Sequence, residues 1–62
     1  SSNPFVNQVI ECLVEVVSAF QRFTKPYSSE IFQMALKVFN PSAKDLALRL
    51  SDLIKLCFKL SA

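Results

Sequence analysis

The sequence predicts an all-α chain of three helices, and three observations carry that expectation. Prolines at positions 4, 26 and 41 divide the 62 residues into stretches of helical length. Within each stretch the apolar residues recur at spacings of three and four instead of alternating. The connections between stretches are short, so successive helices should be neighbours in one compact unit.

The first helix spans about 4–23. Asn3 precedes Pro4, which places a capping side chain before a proline whose missing N–H costs nothing at the first helical position. Val6, Val9, Ile10, Val14, Val16 and Val17 favour strands by propensity, so periodicity has to decide. At 100° per residue Asn7, Gln8, Glu11, Glu15, Ser18, Gln21 and Arg22 share one sector. Phe5, Val6, Val9, Ile10, Cys12, Leu13, Val16, Val17, Ala19, Phe20 and Phe23 fill the rest. Strand alternation would scatter both sets. The apolar arc covers roughly half the circumference, against ~100° for an ordinary surface helix. Thr24-Lys25-Pro26 is expected to end the helix, because a residue before proline is pushed out of the α region.

The second helix spans about 27–39, with a narrow polar stripe of Ser29, Glu30, Gln33 and Lys37. Asn40-Pro41 closes it. The third, about 42–60, opens with Ser42-Ala43-Lys44-Asp45, a capping-box variant with aspartate in the usual glutamate position. Its core side is Leu46, Ala47, Leu50, Leu53, Ile54, Cys57, Phe58 and Leu60. Leu48 and Leu56 break the pattern by falling among its charges, as Val14 does on the first helix. The expected core is centred on Phe20, Ile31, Leu50, Leu53 and Ile54.

Composition excludes several classes of function. Sixty-two residues allow one domain, taken as the whole of 1–62. Without glycine there is no phosphate-cradling loop, and without histidine the commonest general base and metal ligand are missing. Two cysteines cannot build a zinc site, which wants four ligands. Glu11 and Glu15 share a helical face, but it is the most polar one, where a solvated pair is expected. No enzyme, metal or cofactor is predicted. Cys12 and Cys57 fall on apolar sides and read as buried, reduced thiols of an intracellular protein.

The net charge of +2 does not signal nucleic acid, because the bases sit where helix dipoles favour them. A helix–Asn40-Pro41–helix unit could present Lys44, Leu48 and Arg49 to DNA, but Asp45 at the entering end would repel phosphate. Polar residues interrupt every apolar run, so no membrane span is expected. The amino end carries no signal peptide and no methionine, which suggests a piece excised from a larger protein.

What remains is a surplus. A chain of this size buries only ~60% of its unfolded surface, yet 52% of these residues are hydrophobic and six are phenylalanine. Association is the expected outlet. The sequence therefore predicts a homo-oligomer, dimer or tetramer, formed through apolar helix flanks. Its expected contacts are Phe5, Cys12, Val14, Phe23, Phe32, Leu48 and Leu56. The alternative is a heterotypic docking domain that takes a partner's amphipathic helix.

Three short helices with broad apolar sides resemble a fragment of a HEAT or armadillo solenoid. Asn3-Pro4, Ser42-x-x-Asp45 and the leucine-rich third helix are also compatible with the C-terminal oligomerisation module of Rif-type telomere and replication scaffold proteins. The chain resembles that module in size and helical content. The resemblance implies a nuclear scaffold multimerised through this segment, with nucleic acid bound elsewhere.

Overall fold

In the computed structural model, which describes residues 3–62, the order of elements is α1 (Pro4–Ala19), a single turn α2 (Gln21–Thr24), a 3-10 turn (Lys25–Tyr27), α3 (Ser28–Val38) and α4 (Lys44–Ser61). Three long helices and no strand make up the described residues, as the sequence predicts.

Local chemistry explains where α1 begins. The Asn3 side chain accepts a hydrogen bond from the Phe5 N–H at 2.9 Å, and Pro4 occupies the first helical position. The other end departs from the expected single helix over 4–23. The chain leaves helical geometry at Phe20 (φ −120°, ψ 52°), four residues before the Thr24-Lys25-Pro26 segment. Two side chains then donate to carbonyls flanking the break, that of Phe20 also accepting from the Phe23 and Thr24 N–H groups. Gln21 donates to the Ser18 carbonyl at 3.1 Å, and the Thr24 hydroxyl donates to that of Phe20 at 2.9 Å.

Lys25 itself is right-handed helical (φ −52°, ψ −45°), against the usual restraint on a residue preceding proline. Pro26 lies in the first two positions of the 3-10 turn, where its missing N–H leaves no hydrogen bond unmade. Proline here shapes a connection; it does not end α1.

The start of α4 differs too. Asn40 takes over the loop: its side chain accepts from the Ser42 N–H and its carbonyl from the Ala43 N–H, both at 3.0 Å. Ser42 is thereby held in a turn, so the predicted Ser42–Asp45 capping box does not form. Ala43 stands at the cap with no side-chain bond to offer. Asp45 remains in the first turn, favourably placed for the helix dipole.

The central helix is α4, with α1 and α3 both packed against it. Leu46, Leu50, Leu53, Cys57 and Leu60 are buried along one side of it. Into that side α1 sends Ile10 and Val17, and α3 sends Ala35. Val6, Leu13, Ile31, Met34, Ala43 and Ile54 close around them, half-buried. Two residues expected in the core lie elsewhere: Phe20 is 54% exposed and Phe58 63%. Phe20 sits at the break, where the chain turns away. Phe58 lies towards the α3 flank, its ring tilted against Phe32 with centroids 5.4 Å apart.

Candidate functional site

One choice of packing face on α1 sets the surface of the molecule. The helix carries two apolar stripes, offset by one residue. The inner stripe runs Val6, Ile10, Leu13, Val17 and meets the core. The outer stripe runs Phe5, Val9, Cys12, Val16, Ala19, and all five residues are exposed. Phe23, 76% exposed on α2, continues the same alternation of four and three. That alternation is the spacing of a helix seam. Here it has no partner within the described residues.

The outer stripe is large for so small a body. Phe5 is 70% exposed, and Val9 and Val16 nearly half. With about 150–250 Å² for a fully exposed aromatic side chain, the stripe with Phe20 and Phe23 amounts to roughly 500 Å². A patch of that size on a monomer is commonly an association site.

The predicted contact residues do not form one patch. Phe5, Cys12 and Phe23 fall on the outer stripe. Val9, Val16 and Ala19 join them from outside the expected set, although the 4-3-4-3 spacing of Phe5, Val9, Cys12, Val16 and Ala19 is legible in the sequence. Val14 and Leu56 do lie among charged residues, but they are half-buried and packed against the core. They line a hollow of about 350 Å³ rimmed by Asp52, Lys55 and Lys59. The cause is geometric: α4 covers the sector of α1 that holds Val14, and Arg49 reaches Glu11 at 2.6 Å across the same seam. Phe32 is half-buried against Phe58.

Leu48, 68% exposed, stands apart with Phe39 and Pro41 at a hollow of about 340 Å³ beside the start of α4. Its neighbour Arg49 is held by Glu11, which weakens a reading of this end as a DNA-facing helix.

The two thiols also separate. Cys57 is buried as expected, and desolvation raises its pKa above the ordinary thiol value. Cys12 is exposed, contrary to expectation. It belongs to the outer stripe, and only the inner stripe found a partner.

Compared with protein-family models, with curated proteins and with solved structures, the chain matches none. No three His, Cys, Asp or Glu side chains gather as a metal site among the described residues. No helix among them is long and apolar enough to cross a membrane.

Proposed function

We propose that this chain is a homo-oligomerisation module of a larger protein, and that the outer stripe of α1 is its contact surface. The exposed heptad-like run Phe5, Val9, Cys12, Val16, Ala19 carries the reading. A helix that keeps a complete second seam in water loses the burial those side chains would gain at about 25 cal/mol per Å². A second copy supplies an identical seam, and a two-fold arrangement lets each cover the other. Several weak binding segments on a parent protein then act together through their effective concentration. On the resemblance to Rif-type modules, the parent would be a nuclear scaffold that binds nucleic acid outside this segment.

Light scattering with Val16→Asp tests this. The wild-type chain should have the mass of a dimer or larger. The variant should fall to a monomer with unchanged helix content by circular dichroism, since Val16 lies outside the core. A wild-type chain that stays monomeric at high concentration contradicts the proposal and favours a heterotypic partner helix on the same stripe.

A further inference from the structure

We infer that two copies pair through antiparallel α1 helices with the two-fold axis at Cys12, so that the stripe is covered from Phe5 to Ala19. The inference rests on the oligomerisation reading and adds register and direction to it. Side-chain size, the two flanks of the stripe and its area each argue for it.

Size fixes the register. Cys12 is the middle residue of the five and stands at the middle of α1 (Pro4–Ala19). The largest side chain of the stripe, Phe5, lies at one end and the smallest, Ala19, at the other. Antiparallel pairing about Cys12 sets Phe5 against Ala19, Val9 against Val16 and Cys12 against Cys12. Large then meets small and medium meets medium, so the helices keep one spacing along their length. A parallel pair would set Phe5 on Phe5 and Ala19 on Ala19, forced apart at one end and unfilled at the other.

The flanks fix the direction. Gln8 and Glu15 border the stripe on one side, both exposed. Val6, Leu13 and Phe20 border it on the other; the Phe20 N–H still bonds the Val16 carbonyl at 2.8 Å, which keeps that residue in line with α1. In a parallel pair each flank faces the opposite flank of the other copy, and Glu15 would give up water for an apolar neighbour. In an antiparallel pair like flanks meet. Gln8 then lies opposite Glu15, where its amide can donate to the carboxylate, and Phe20 lies opposite Val6.

The whole stripe is used. With Phe5 70% and Phe20 54% exposed, the five residues and Phe20 offer roughly 400 Å² per copy. Two copies withdraw about 800 Å² before the polar flanks are counted, close to the ~1,000 Å² at which specific interfaces begin. The pair is therefore a weak, reversible dimer.

Single-thiol variants in a Cys12→Ser background test the register, with Cys57 left in place because it is buried. Diamide serves as oxidant, taking up the two electrons and two protons released as each disulfide forms. Gln8→Cys mixed with Glu15→Cys should give covalent dimer at least fivefold faster than either variant alone. Ala19→Cys should not link to itself, since its opposite number lies 14 residues away along the pair, about 21 Å. These positions are exposed, and circular dichroism verifies that each variant keeps its helices. If Ala19→Cys links to itself, or the mixture links no faster than its components, the antiparallel pairing is wrong and the oligomerisation reading stands. A wild-type chain that sediments as a monomer at every concentration removes both.

Discussion

Two stripes in this molecule share a spacing and have opposite fates. On α4, Leu46, Leu50, Leu53, Cys57 and Leu60 follow intervals of four, three, four and three, and all are buried. On α1, Phe5, Val9, Cys12, Val16 and Ala19 follow the same intervals, and all are exposed. Periodicity therefore identifies a seam without saying what fills it. The stripe on α4 is filled from within the chain, because α1 and α3 both pack against that helix. With two apolar stripes α1 can turn only one inward, and three helices offer nothing to cover the other. On this account the surplus of apolar residues is the second stripe.

Substitutions of one kind in each stripe should break the symmetry most visibly. Leu50 is fully buried, so Leu50→Ala should cost about 2–5 kcal/mol through lost contacts and an unfilled cavity. A chain this small has little stability to lose, and its thermal melt should shift steeply or vanish. Val9→Ala on the outer stripe should leave the stability of the dilute monomer within about 0.5 kcal/mol of wild type. Equilibrium denaturation at low concentration compares the two. Comparable losses would mean that the outer stripe is packed within the monomer. Leu56→Asp belongs with the first case: it puts a charge against the core, and lost helix content should precede any change in mass.

Asn3→Ala comes next. It removes the capping bond to Phe5 and should cost about 1 kcal/mol, with early exchange of the first amides of α1 seen by NMR.

The effect of pH depends on Cys57. Burial raises its folded pKa, so the unfolded chain gives up this proton first as pH climbs. Its contribution should be intact below the ordinary thiol range, decline above it, and be gone once pH passes the raised folded value. Replacing Cys57 with Ala should remove that decline from a stability profile measured across alkaline pH.

The smallest effect belongs to the exposed pair Arg49–Glu11. Arg49→Gln should cost less than about 1 kcal/mol, and that cost should fade in high salt.

The legible parts of this fold are those decided within a few residues. Asn3-Pro4 announces the start of α1 because both effects, a side-chain acceptor and a missing donor, act on the same turn. The buried side of α4 is equally plain, since Leu46, Leu50, Leu53, Cys57 and Leu60 all face one way.

Elsewhere, competition between neighbours hides the outcome. Ser42 and Asn40 can both organise the turn before α4, and the Asn40 turn excludes the Ser42 cap. The break at Phe20 has no proline or glycine to mark it.

The site was harder to read for a related reason. Taken together, the two stripes of α1 form one broad arc, and the position of α4 separates them. That placement exposes Cys12 and draws Val14 inward. Phe5 and Phe23 were legible as surplus aromatics; Val9, Val16 and Ala19 needed the second seam to be recognised.

Cys12 offers the most direct measurement, because it sits within the outer stripe and Cys57 does not. The rate at which a thiol reagent modifies each cysteine can be followed as protein concentration rises. The account predicts fast modification of Cys12 in dilute solution and progressive protection as copies associate, with Cys57 slow throughout. A Cys12 rate independent of concentration, in a sample that has reached its oligomeric mass, would contradict the claim that copies meet through this face of α1.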